Sequence, residues 1–112
     1  MIKATVVLDA RGRVRELLIR GHAGYAEYGK DIVCAAVSAL AETAVLGIEE
    51  VAGVNVSPVK REGYFHLTIP EDESEDKLAR VGIILDTIVI GLKDIAKTYP
   101  SHIKVETKRG GV

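Results

Sequence analysis

The chain has a single cysteine and no large excess of either charge, and both features limit the classes of protein to which it can belong. One cysteine cannot form an intrachain disulfide. Fifteen basic residues against sixteen acidic ones give a net charge of -1, which removes the usual electrostatic basis for binding nucleic acid. We therefore expect no direct nucleic-acid partner.

Metal, phosphate and membrane signals are also missing from the sequence. One cysteine and three scattered histidines give none of the paired ligand spacings typical of zinc sites. No glycine-rich loop leads into a Lys-Ser/Thr pair, and the glycines between residues 21 and 29 lack dinucleotide-binding spacing. The longest apolar run, residues 81–92, is interrupted and far shorter than the roughly 20 residues of a membrane span. We expect a cytoplasmic protein with no metal, no cofactor and no membrane segment.

The 112 residues, 47% of them hydrophobic, are enough for one domain with its own core, so we treat residues 1–112 as one unit. Apolar and β-branched segments separated by turn residues predict hairpins over residues 2–20 and 54–69, with Pro58 favouring an edge or a bulge. Apolar periodicity predicts helices over residues 32–51 and 74–97. A last strand over 103–107 and a frayed tail follow. This ββαββαβ order indicates an α+β domain, with two helices packed on a mostly antiparallel sheet.

The second predicted helix carries apolar residues on more than one of its faces. An apolar stripe that wide is usually buried on two sides. The pattern therefore predicts a homodimer with this helix near the interface.

The residues best suited to chemistry lie between 21 and 38. Asp31 is a good N-cap, which puts Cys34 on about the third helical residue, where first-turn amides and the helix dipole favour a negative sulfur. His22 lies on a glycine-bounded loop that can bring its imidazole to the thiol. The pattern predicts a cysteine nucleophile with a histidine base. The plainer interpretations are an inert core cysteine and a solvent-exposed loop histidine.

Two polar residues could support such a pair. Asp31 can cap the helix, orient His22, or do both, and the second role would complete a Cys-His-Asp set. Ser38 lies one helical turn beyond Cys34 on the same face, where it either lines a site or allows close helix packing.

The loop before the first helix has the composition of a mobile ligand-contacting segment. Tyr25 and Tyr28 offer apolar area with a polar tip, which suits both contact with a ligand and ordinary anchoring of the loop. Three glycines supply the flexibility that a hinge needs: Gly21, Gly24 and Gly29.

The motif Gly-His-Ala-Gly at residues 21–24, the nearby Gly29, and Asp-Ile-Val-Cys-Ala-Ala-Val-Ser at residues 31–38 closely resemble the ribosomal-processing cysteine proteases, the Prp family. The chain length and the ββαββαβ order fit the same family. The resemblance implies a homodimeric endopeptidase whose Cys-His dyad removes the N-terminal extension of a large-subunit ribosomal protein, number twenty-seven. The precursor of that ribosomal protein is then the expected partner.

Carried over by position, the resemblance implies Cys34 as nucleophile and His22 as base, with Gly21 as a hinge and Asp31 and Ser38 in support. The thiol would lose its proton to the imidazole and attack the scissile carbonyl, and first-turn amides would steady the oxyanion. A peptide could lie extended beside an edge strand. A non-catalytic peptide-binding ribosome-assembly factor and a redox-sensing thiol are the competing hypotheses.

Overall fold

The computed structural model describes residues 1–110 and contains five strands and two helices in the ββαββαβ order that the sequence predicts. The elements in chain order are β1 (Ile2–Leu8), β2 (Val14–Arg20), α1 (Ile32–Glu50), β3 (Val59–Arg61), β4 (Tyr64–Thr68), α2 (Glu75–Thr98) and β5 (Ile103–Arg109). The prediction of an α+β fold with a mostly antiparallel sheet is confirmed.

The sheet has the strand order β3-β4-β2-β1-β5. Its β1–β2, β2–β4 and β3–β4 pairs are antiparallel, whereas β5 runs parallel to β1. The short strand β3 is therefore an edge strand. Both helices share one core with the sheet, and its most completely buried large side chains come from all of these layers: Leu17, Ile48, Leu67, Leu85, Leu92 and Ile103.

The second hairpin is shorter than the sequence predicts. Its first strand spans only Val59–Arg61, and residues 54–58 form no strand, although Val54 is fully buried in the core. Pro58 explains this boundary because proline has no N–H to give to a strand ladder.

The last strand is longer than predicted. Lys108 and Arg109, which the sequence analysis assigns to a frayed tail, pair with Val7 and Leu8 of β1. The N–H of Gly110 continues this pattern by donating to the carbonyl of Leu8 at 2.7 Å. The ladder extends because β1 offers a parallel partner up to residue 8, which the local sequence of the tail does not reveal. The rest of the predicted tail, residues 111–112, lies outside the described residues.

The first helix has one property that the sequence analysis did not consider. By length and composition alone, α1 is the one helix within residues 1–110 that could cross a membrane, a test that core helices of soluble proteins also pass. In the structure α1 contributes six side chains to the core: Val33, Val37, Ala41, Ala44, Val45 and Ile48.

Candidate active site

The first helix begins where an aspartate caps it. Asp31 has extended backbone angles (φ -85°, ψ 103°), and its Oδ1 accepts hydrogen bonds from the amides of Val33 and Cys34, both at 3.0 Å. This geometry confirms Asp31 as the N-cap and makes Cys34 the third residue of α1, as the sequence predicts.

The same carboxylate also holds the preceding loop. Its Oδ2 accepts from the amide of Tyr25 at 3.0 Å and from that of Ala26 at 3.4 Å. Partial desolvation raises the pKa of Asp31, but four backbone donors, led by the amide of Cys34, outweigh this and leave the pKa below its ordinary value. Both oxygens bind backbone amides, so this conformation has the capping geometry and joins Asp31 to His22 by no hydrogen bond within residues 1–110.

The thiol of Cys34 is half-buried and in no disulfide, and its Sγ accepts a hydrogen bond from the amide of Ala23 at 3.3 Å. The first-turn amides are less available than the sequence analysis expects. Those of Val33 and Cys34 are taken by the cap, and that of Ala35 donates to the carbonyl of Asp31. The amide that points at the sulfur therefore comes from the loop and not from the helix.

The imidazole of His22 packs against the turn between β3 and β4. A Cβ built on Gly63 would lie 2.7 Å from Nε2 of His22, so only glycine fits beneath the ring. The amide of Gly21 donates to the carbonyl of Gly63 at 2.9 Å and fixes the turn beside the loop. No hydrogen bond joins His22 to Cys34 among the described residues, although both side chains line the same cleft.

That cleft has a volume of about 910 Å³. Cys34, Ser38 and Glu42 lie one helical turn apart along α1 and form one wall. The opposite side carries residues 60–65 of the β3–β4 hairpin, and the loop forms the rim. The sequence-predicted residues that line the cleft are Gly21, His22, Gly24, Tyr28, Gly29, Asp31, Cys34 and Ser38.

Two features of this region were missed by sequence reasoning. Lys60 donates from Nζ to both carboxylate oxygens of Glu42 at 3.1 Å, which joins the two walls of the cleft. Tyr25 is not among the lining residues. Its ring instead packs edge-on against Tyr99 at 5.5 Å and His102 at 5.3 Å, far along the chain. Neither contact has a local signal, because the partners are distant in sequence.

A half-buried thiol at a helix N-terminus and an imidazole on the same cleft are the constellation of a thiol-dependent hydrolase. The described residues place no group of three histidine, cysteine or acidic side chains where it could hold a metal ion.

Comparison with known proteins identifies the class more closely. The family model described as Cysteine protease Prp matches residues 1–104. The ribosomal processing cysteine protease Prp of Bacillus subtilis (strain 168) is 28% identical over 109 residues, covering 96% of this chain and 97% of that one. The corresponding protein of Mycoplasma genitalium is 35% identical over 91 residues, covering 80% of this chain and 84% of that one.

A solved structure agrees with the sequence matches. The essential ribosomal processing protease Prp from S. aureus, in complex with a covalently linked product peptide, superposes with a TM-score of 0.85 at 27% identity, covering 96% of this chain and all of that one. The chain belongs to the cysteine protease Prp family and is a cysteine protease. The resemblance read from residues 21–38 is confirmed.

Proposed function

We propose that this chain is a ribosomal-processing endopeptidase in which Cys34 is the nucleophile and His22 the general base. The observation that carries the proposal is the position of the Cys34 sulfur at the third residue of α1, in a cleft whose hairpin side holds the ring of His22. Crystal structures of the S. aureus relative contain a substrate peptide and a covalently linked product peptide, which supports a peptide as the occupant of this cleft.

The mechanism has two halves. His22 takes the thiol proton while the Cys34 sulfur attacks the scissile carbonyl, and His22 then protonates the departing amine to leave a thioester. Water hydrolyses the thioester and restores the thiol. Since the two side chains are not hydrogen-bonded in this structure, movement of the glycine-bounded loop completes the dyad when a peptide binds.

The amide of Ala23 is suited to stabilising the oxyanion. It lies 3.3 Å from the Cys34 sulfur and donates to it. As the sulfur forms its bond to the scissile carbonyl carbon, negative charge moves from the sulfur to the oxygen of that carbonyl. A donor already at the sulfur can follow that charge, whereas the helical amides of Val33 and Cys34 are engaged by the cap.

We infer that the substrate is the precursor of a large-subunit ribosomal protein, number twenty-seven, which carries an N-terminal extension, and that cleavage occurs in the cytoplasm, where ribosomes assemble. The relatives' description as ribosomal processing proteases supports this substrate class. The extension can bind as an extended strand beside β3, an edge strand whose Lys60 and Arg61 line the cleft.

We also propose that the protein acts as a homodimer. Ile83 and Ile90 lie two turns apart on α2 and are 69% and 68% exposed, so α2 keeps an apolar face outside its own core. A second copy packed on this face would bury it.

The experiment that tests the function is intact-mass analysis of the extended ribosomal protein after incubation with the wild type, with Cys34→Ser and with His22→Ala. We expect the wild type alone to remove a defined N-terminal fragment. If all three proteins bind the precursor and leave its mass unchanged, the chain is a peptide-binding module and the proposal is wrong.

A further inference from the structure

His102 contacts the active-site loop from outside the cleft. It lies in the turn between α2 and β5, and its Nδ1 is 2.9 Å from the carbonyl oxygen of Ala23. A carbonyl oxygen only accepts, so Nδ1 carries the proton and donates. The backbone of His102 is itself fixed, because its N–H donates to the carbonyl of Tyr99 and its carbonyl accepts from the amide of Ile2, both at 2.9 Å.

Ala23 is consequently held at three points. Its side chain is 3% exposed and belongs to the core, its carbonyl accepts from His102, and its amide donates to the Cys34 sulfur. The next residue, Gly24, lies in open space, and the loop is held again at Tyr25 and Ala26, whose amides donate to Asp31. Gly24 has a φ of +67° and a Cβ built on it would meet no atom within 4 Å.

We propose that His102 is a positioning residue for the proposed protease reaction. By holding the carbonyl of Ala23, it fixes the amide at the Cys34 sulfur and the backbone from which His22, the preceding residue, extends. This inference rests on the proposed function, since it assigns His102 a role in that same site. His102 is not among the residues that line the cleft, and it acts through Ala23.

The ring of Tyr25 also packs on the ring of His102. The alternative is therefore that His102 supports the loop through the shape of its ring and not through its N–H donor. Two substitutions separate the donor from the ring. His102→Phe keeps an aromatic ring and removes the N–H donor. His102→Asn removes the ring but places an amide N–H near the position of Nδ1. His102→Asp has the size of asparagine without a donor, and so serves as a second donor-free variant if the phenylalanine variant does not fold.

We would measure kcat and KM for peptide cleavage, and the hydrogen-exchange rate of the Ala23 amide by NMR. A donor role predicts that His102→Phe and His102→Asp lower kcat by about tenfold or more with little change in KM, and speed exchange of the Ala23 amide. His102→Asn should stay within about threefold of the wild type in both measurements. His66→Phe is the matched control. His66 lies on β4, forms a hydrogen bond with Glu16 of β2, and is not among the residues that line the cleft.

Wild-type kcat and exchange in His102→Phe would overturn the inference, and so would an asparagine variant as poor as the phenylalanine one. These two results differ from the result expected if the proposed protease function itself is wrong. In that case the wild type itself cleaves nothing, while the exchange rate of the Ala23 amide still reports whether His102 holds the loop.

Discussion

Gly63→Ala is the substitution whose effect on this site the structure defines most sharply. The new methyl group would lie 2.7 Å from Nε2 of His22. Ordinary contact begins near 3.4 Å, so the ring must retreat by about 0.7 Å, and it does so in the cleft that also holds Cys34. Because misplacing a catalytic group by such a distance costs on the order of 10- to 100-fold, we expect a loss of that size in kcat/KM.

The same substitution has a cost in stability that must be separated from the cost in activity. Gly63 has a φ of +68°, a left-handed conformation that costs a residue with a side chain about 1–2 kcal/mol. We expect the melting temperature to fall by roughly 5–10 °C in consequence. Gly12, in the β1–β2 turn, has a φ of +81° and no atom within 4 Å of a built Cβ, so Gly12→Ala carries the backbone cost alone.

The assay is cleavage of a peptide spanning the processing site, run well below both melting temperatures and beside thermal denaturation. Gly63→Ala should lose at least as much stability as Gly12→Ala, and only Gly63→Ala should lose most of its activity. Equal activities in the two variants would refute the argument that the packing of the His22 ring on Gly63 sets the position from which the ring reaches Cys34.

Three further predictions concern the core, the cap and the dimer. Leu92→Ala should lower the free energy of unfolding by about 2–5 kcal/mol in urea titration, since Leu92 is fully buried; a change below 1 kcal/mol would contradict this. Because the folded pKa of Asp31 lies below its ordinary value, its contribution to stability is present above about pH 4 and is lost as the pH falls through the folded pKa. The urea midpoint should therefore fall less between pH 6 and pH 3 in Asp31→Asn than in the wild type, and equal falls would contradict it. Replacing both Ile83 and Ile90 with serine should halve the sedimenting mass, and a monomeric wild type would disprove the dimer.

The order of the elements and the start of α1 could be predicted because their signals are local. Asp31 lies directly before an apolar periodic segment, and that short-range pattern was enough to place Cys34 on the third helical residue. The motif around His22 likewise identified the family, since all its residues lie within about twenty positions.

Features set by distant partners could not be predicted in this way. The extension of β5 to Arg109 depends on its parallel pairing with β1, about one hundred residues earlier. The position of the loop amide at the Cys34 sulfur belongs to a segment in which Ala23 is buried and bonded to His102, 79 residues further along the chain. No motif surrounds His102, so its position became apparent only when the fold brought the ends of the chain together.

The central claim, that Cys34 attacks the scissile carbonyl with His22 as its base, is tested most directly by trapping the acyl-enzyme. The wild type is mixed with the precursor, quenched in acid, digested and mapped by mass spectrometry. We predict that the N-terminal fragment is joined to the peptide containing Cys34 through a hydroxylamine-sensitive thioester, and that His22→Ala accumulates it far more slowly. Cleavage by Cys34→Ser at the wild-type rate, or a fragment attached to another residue, would contradict the account.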